Sequence, residues 1–250
     1  MSLQFETASA GYVRAAGLAG AGTDNHLLAR MDAEDRATLE MRGKVVRLTS
    51  GQVLYEPEDE VLYVHFPRSG AVSLVTTFSD GTGVEGMMVG RDGVLDVMSY
   101  AAPVRATARA VVQLPGEALR LEASAFREIV RANPGTRTVL ELNAARSLAE
   151  VQQSAACNAS HRLEPRLAKW LLKAHDRFDT DILPLTQEFL GDMLGAQRTT
   201  VTAVASSLQR MGAISYRRGR ITVLDRSALE RASCECYAAS LRRARAASRI

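Results

Sequence analysis

Across residues 44–121, apolar and polar residues alternate in short runs: KVVRLTSGQVLY, VLYVHFPRSGAVSLVTTF, GVEGMMVG and ARAVVQLPGEALRLE. The runs are interrupted at Gly51, Pro57, Gly70, Gly81, Gly83, Gly90, Gly93 and Pro115. A period of two over four to eight residues belongs to a strand with one buried face, and glycine-rich breaks at this spacing predict a barrel or sandwich. Residues 76–82 (TTFSDGT) predict a hairpin, because Asp80-Gly81 is a pair that tolerates positive φ.

On either side the period changes to that of a helix. Residues 26–41 (HLLARMDAEDRATLEM) place Leu27, Leu28, Met31 and Leu39 on one face, and residues 124–130 read as a short helix. Asn133-Pro134 then opens a long one, with the proline in the first turn, where its missing N–H costs least. Residues 136–160 contain no Gly or Pro, and Leu140, Ala144, Ser147, Val151 and Ser154 follow alternating steps of four and three. This narrow stripe fits either the seam of a dimer or a helix packed on its own barrel. Residues 163–178 carry Leu167, Trp170, Leu171 and Ala174 at helical spacing, with Trp170 expected in the core.

Residues 185–224 (LTQEFLGDMLGAQRTTVTAVASSLQRMGAISYRRGRITVL) hold the densest pattern. Thr186 is a candidate N-cap, followed by an apolar face of Phe189, Leu190, Met193 and Leu194 that ends at Gly195. A second helix from about Gln197 to Met211 buries Val201, Val204, Ala205, Leu208 and Met211. Short helix, glycine turn and longer amphipathic helix form a helix-turn-helix, whose second helix enters the major groove by its N-terminal end. The residues there are Gln197, Arg198, Thr199, Thr200 and Thr202, with Ser206 one turn further on. Arg198 suits guanine O6 and N7, Gln197 adenine or phosphate, and the hydroxyls phosphate or a thymine methyl. Two short strands around Arg217, Arg218, Gly219 and Arg220 then form a hairpin whose arginines would lie beside the sugar-phosphate backbone.

Charge agrees with that placement. The 250 residues carry a net +3, but 1–160 hold 15 Lys and Arg against 19 Asp and Glu (−4), and 161–250 hold 16 against 9 (+7). The positive half is the half to expect on a polyanion. A composition of 46% hydrophobic and 24% charged residues, without a long apolar run or a basic-then-apolar leader, implies a globular cytoplasmic protein with no membrane segment. Cys157, Cys234 and Cys236 form neither a CxxC pair nor a disulfide framework. Cys157 and His161 share a helix face, but two ligands do not make a tetrahedral zinc site, so no metal is expected. Glu85, Asp92, Asp96 and His65 are too scattered for a catalytic set, so no enzyme is expected.

The stretches GQVLYEPEDEVLYVHFPRSGAVSL, ARAVVQLPGEALRL and LTQEFLGDMLGAQRTTVTAVASSLQRMGAISYRRGRITVLD resemble the Crp/Fnr family of bacterial transcription regulators, over about residues 27–229. The resemblance implies a cyclic-nucleotide-binding-like jelly-roll β-barrel, a long dimerisation helix and a winged helix-turn-helix. Gln197, Arg198 and Thr199 fall where the family commonly has a Ser-Arg-Glu-like triplet, and Ala203 where a second arginine is often found. The DNA motif should therefore differ from that of the best-known members. In the region of the cyclic AMP pocket, Gly93 is followed by Val94 where a Glu is usual. Arg105, with Thr107 nearby, lies about one residue out of register with the phosphate site and lacks an adjoining Ser. Val151 and Gln152 replace a Thr-Ser pair at the purine. High-affinity cyclic AMP binding is not expected, and no cofactor is. The iron-sulfur branch's N-terminal cysteine cluster is missing, and His65 reads as a strand residue, not a haem ligand.

The expected protein is thus α+β: an N-terminal extension (1–25), an effector-type barrel (26–132), a dimerisation helix (133–160), a winged helix-turn-helix (161–229) and a helical or basic tail (230–250). Its expected partners are double-stranded DNA, a second copy of itself and RNA polymerase. The alternative is a small-molecule or nucleotide-sensing signalling module whose C-terminal domain docks a protein.

Overall fold

The computed structural model describes residues 25–178 and 180–247, so the expected N-terminal extension falls almost wholly outside the described residues. The chain opens with a 3-10 turn, Leu28–Arg30, and a helix, α1 (Ala33–Arg42). Residues 26–41 are therefore not one helix. Asn25 is buried, its Oδ1 accepts the Leu27 and Leu28 N–H groups, and Met31 turns extended at φ −82°, ψ 157°.

Seven strands follow: β1 (Lys44–Leu48), β2 (Val53–Tyr55), β3 (Tyr63–Pro67), β4 (Ala71–Thr77), β5 (Gly83–Val89), β6 (Arg109–Leu114) and β7 (Gly116–Glu122). They form two antiparallel sheets, ordered β1-β7-β3 and β2-β6-β4-β5. Leu48 and Ala118 of the first sheet share a buried cluster with Val72, Val89, Ala110 and Val112 of the second, so alternate residues of both line one core. The 76–82 hairpin forms between β4 and β5, with Thr77 paired to Gly83. Only Gly81 takes positive φ; Asp80 instead accepts the Thr82 N–H and hydroxyl through its carboxylate. Five loop residues leave room for this Asx-type closure, which a two-residue turn would not.

Helix α2 (Ala123–Ala132) seals the end of the barrel with Phe126, Ile129 and Val130, and Phe126 meets Phe66 edge to face at 5.8 Å. The long helix α3 (Pro134–Ser160) starts at the predicted proline and is about 40 Å long at 1.5 Å per residue. Beyond it lie α4 (Leu163–His175), β8 (Ile182–Leu183), α5 (Gln187–Leu194), α6 (Arg198–Arg210), β9 (Ile214–Arg217), β10 (Arg220–Val223) and α7 (Arg226–Ala232). A second large core joins Leu167, Trp170, Leu190, Val201, Leu208, Ile221 and Leu229. Trp170 is buried there, edge to face with Phe189. The C-terminal tail is helical as α8 (Cys236–Ala247) and folds back onto α3 and α4.

Of the two readings of the 140–154 stripe, burial at its ends matches packing on the chain's own domains, and a neighbouring side of α3 stays open. Leu140 and Ser154 are buried, Ala144 and Ser147 half-buried, whereas Ala145, Leu148, Val151, Gln152, Ala155 and Ala159 are exposed. Leu140 is taken up by the barrel core.

Candidate nucleic-acid interface and interdomain cleft

The short helix α5 begins as its sequence dictates. The Thr186 Oγ1 accepts the Phe189 N–H at 3.2 Å, capping one of the helix's unpaired amides. It ends at Gly195 in the left-handed conformation, φ 58°. A Cβ at Gly195 would stand 2.7 Å from a Val84 methyl of β5, so backbone conformation and close approach both require glycine there. Arg166 of α4 donates to the Leu194 carbonyl at 2.6 Å and holds the turn.

Helix α6 buries Val201, Ala205 and Leu208, so its opposite side is left to solvent. Gln197, Arg198, Thr199, Thr200 and Ala203 are exposed, and Gln197 makes no side-chain cap bond. The first turn of α6 thus carries exposed polar side chains at the positive end of the helix dipole, an arrangement that attracts phosphate. Thr202 and Ser206 sit differently. The Thr202 hydroxyl lies 2.8 Å from both Gln187 Oε1 and the Arg198 carbonyl, and the Ser206 hydroxyl donates to the Thr202 carbonyl. Both are half-buried, and their protons are used within the domain.

Between β9 and β10, Arg217 pairs with Arg220, leaving Arg218 and Gly219 as a two-residue turn with φ 49° and 72°. Positive φ at both positions matches the twist of a hairpin. Arg217, Arg218 and Arg220 are all exposed at this tip. Gln209 of α6 accepts the Tyr216 N–H at 2.7 Å, which locks the hairpin to the helix. Neither Arg166 nor Gln209 was signalled by the sequence pattern, since each acts through a distant backbone group.

A cleft of about 340 Å³ opens between the barrel, α3, α4 and α8. At its wall Asp92, from the loop after β5, bonds Arg146 of α3 at 2.8 Å and Arg177, just past α4, at 2.9 Å. Gly90 permits this, because a Cβ there would lie 2.8 Å from the Arg177 side chain. Burial disfavours the Asp92 charge, but Arg177 and Arg146 outweigh it and hold the carboxyl well below its ordinary range. Close by, Lys173 of α4 donates to Glu150 of α3, which also accepts from Ser240 of α8. One ionic network therefore ties the barrel, the long helix and the DNA-binding half together.

Of the residues expected at an effector pocket, Gly93 and Val94 line this cleft. Val94 is buried against Leu27 and Phe66 and offers no polar group. Arg105 and Thr107 are exposed away from it, Arg105 donating to the Glu58 carbonyl, and Val151 and Gln152 face outward on α3. His65 is a buried β3 residue whose pKa is lowered to about 4 by burial and by Arg120.

Asp96, two residues after Val94, has φ 57° and a carboxylate buried beside the Tyr55 hydroxyl. Burial raises its pKa from 3.8 to about 6 against the opposing pull of that hydroxyl. The folded state thus favours the protonated acid; that stabilisation is complete below pH 3.8 and is lost as pH rises through about 6. Asp96→Asn, which keeps the shape and tolerates positive φ, should stabilise the protein by about 1–3 kcal/mol at pH 7.5 and by nothing measurable near pH 3.5, in urea titrations at the two pH values.

The cysteines are not scattered as their sequence positions suggested. Cys157, Cys234 and Cys236 are buried together beside His161, because α8 folds back onto the end of α3.

Residues 45–133 match the profile of the cyclic nucleotide-binding domain, and residues 165–232 that of the Crp-like helix-turn-helix domain; together they cover more than half of the chain. The chain is 26% identical over 200 residues to the transcriptional regulatory protein btr of Bordetella pertussis, covering 72% of this chain and 77% of that one. Among solved structures, FixK2 from Bradyrhizobium japonicum aligns with a TM-score of 0.65 and 18% identity over 77% of this chain and 98% of its own. The c-di-GMP responsive global regulator CLP of Xanthomonas campestris aligns at 0.64 with 14% identity, over 78% and 100%. Among the described residues, no helix is long and apolar enough to cross a membrane.

Proposed function

Because the chain belongs to the Crp/Fnr family of transcription regulators, which are not enzymes, we propose that it binds a pseudo-palindromic promoter site as a homodimer. The observation that carries this is the exposure of both the N-terminal end of α6 and the arginine hairpin, which Gln209 ties to that helix. Arg198 reads a base, Gln197, Thr199 and Thr200 make base or phosphate contacts, and Arg217, Arg218 and Arg220 hold the backbone. Thr202 and Ser206 act from within, by fixing α6 against α5 and within its own turn. RNA polymerase is the partner through which such binding would act on transcription.

The domain boundaries follow the functions: 26–132 for the barrel, 133–160 for the dimer helix and 161–229 for the DNA-binding domain, which the matched ranges 45–133 and 165–232 support. The open face of α3, with Leu148 at 60% exposure between Ala145 and Ala155, is the dimer seam. Its alanines let two backbones come close while Leu148 supplies the apolar knob. Leu148→Glu should weaken dimerisation at least tenfold, about 1.4 kcal/mol, in sedimentation equilibrium, with the circular dichroism spectrum unchanged.

The barrel is not a conventional cyclic AMP receptor: Val94 provides no ribose acceptor and Arg105 is turned toward Glu58. A signal acting on the loop that carries Gly93 would instead reach the DNA-binding half through Asp92, which is bonded to both α3 and α4's end. Selection of bound fragments from a sheared genomic library, at several salt concentrations, tests the function as a whole. Enrichment of a shared two-part motif is expected; recovery of unrelated fragments at every salt concentration would overturn the reading.

A further inference from the structure

The donor atoms of Cys157, His161, Cys234 and Cys236 all lie within 4.8 Å of one another. They come from two stretches of chain that tertiary folding brings together. Cys157 and His161 are one turn apart, at the last turn of α3 and its C-cap, and Cys236 opens α8 with Cys234 two residues before it. We propose that these four residues form a closed Cys3His site for one thiophilic divalent ion, zinc above all, which staples the C-terminal helix to the end of the long helix.

The geometry favours an ion over simple packing. With metal–sulfur bonds of about 2.3 Å, the ligand atoms of a tetrahedral site stand roughly 3.8 Å apart. The Cys157 and Cys234 sulfurs are 3.6 Å apart, and the Cys236 sulfur lies 3.6 Å from His161 Nδ1. Donors this close leave room for one ion. Three sulfurs and one imidazole are the set that selects zinc over the oxygen-seeking magnesium or calcium, and four protein ligands leave no open position for catalysis.

The surroundings complete the site as metal centres require. His161 Nε2, on the far side of the ring from Nδ1, lies 3.2 Å from the Glu235 carboxylate. That contact fixes the tautomer with the proton on Nε2 and the lone pair on Nδ1, facing the sulfurs. Gln153 donates to the Cys236 sulfur at 3.1 Å and is itself held by Arg243. Three thiolates around a divalent ion carry a net charge of −1, and Lys169, itself buried, interacts electrostatically with Cys157. The site sits where α3 gives way to α4, so an ion there fixes the joint between the long helix and the DNA-binding domain. Loading releases thiol protons and adds its binding energy to the folded state.

The test uses the full chain, reduced and stripped with a chelator, then titrated with Co2+ and with Zn2+ against a chromophoric competitor. One equivalent of Co2+ should bind with the visible bands of a tetrahedral ion and thiolate charge transfer for three sulfurs, and Zn2+ should displace it. Cys234→Ser should lower Zn2+ affinity at least 100-fold and leave the charge transfer of two thiolates. Glu235→Gln, at a side chain that is 80% exposed and meets only the imidazole, should keep the wild-type circular dichroism spectrum and lower affinity about 10-fold. Zn2+ should raise the thermal midpoint of the wild-type chain and not of Cys234→Ser, by mass action. Uptake of less than half an equivalent by the reduced chain, or a cobalt spectrum without thiolate charge transfer, would overturn the proposal. So would a Cys157–Cys234 disulfide that persists in excess thiol reductant.

Discussion

Asp92→Ala is expected to lower the unfolding free energy by about 2–4 kcal/mol, because it removes the one carboxylate that two partly buried guanidiniums share. The lower part of the range reflects residual exposure: the Asp92 side chain is 29% accessible, and the Arg146 and Arg177 side chains 25% and 12%. Arg146 keeps the Asp92 carbonyl and Arg177 the Lys173 carbonyl, so neither cation loses every partner. Since the network holds the Asp92 carboxyl below its ordinary value of 3.8, its contribution is complete above that pH and is lost as acid carries the pH beneath it. Urea titrations at pH 7 and pH 3 should therefore show a large difference between wild type and variant at the first and a smaller one at the second. The Asp92 side chain also bridges three segments, so the DNA-binding half of Asp92→Ala should exchange amide protons faster at α4 while the β1-β7-β3 sheet stays unchanged.

Arg198→Ala is expected to weaken DNA binding by about 1–3 kcal/mol, roughly 5- to 150-fold, and to do so at one base position per half-site. Its side chain is exposed at the first residue of α6 and no fold contact depends on it, so the variant should unfold like the wild type. Arg218→Ala should behave differently. If, as proposed, the hairpin tip holds the sugar-phosphate backbone, all sequences should be weakened alike and the slope of log affinity against log salt should fall by about 1. Anisotropy with a set of single-base variants of a selected site separates the two patterns.

The elements with strong periodicity were legible in the sequence. Alternation marked all seven barrel strands, Pro134 marked the start of α3, and Thr186 and Gly195 marked both ends of α5. Each of these signals is local: a cap, a turn or a face a few residues long. What escaped depended on distant partners. Residues 26–41 looked like one helix because the interruption is made by Asn25, which also donates to Pro67 and Gly93 carbonyls from the barrel. The open face of α3 was not legible because two faces of that helix carry small or apolar residues, and only the barrel and α8 decide which one is covered. The Thr202 hydroxyl, read from the sequence as a DNA contact, also meets Gln187 of α5, a partner fifteen residues away that no local pattern announces. The pairing of Cys157 with Cys234 and Cys236 spans some eighty residues, and only the C-x-C and C-x3-H spacings hinted at it.

As the proposed homodimer, the protein should place its two copies of α6 in successive major grooves. Hydroxyl-radical footprinting of a selected fragment, with the purified protein at moderate salt, checks this. Two protected patches on one face of the duplex, with centres about 34 Å apart and related by a two-fold axis, are predicted, and both should disappear together as Leu148→Glu replaces wild type. A single protected patch, or protection that is the same on any sequence, would contradict it.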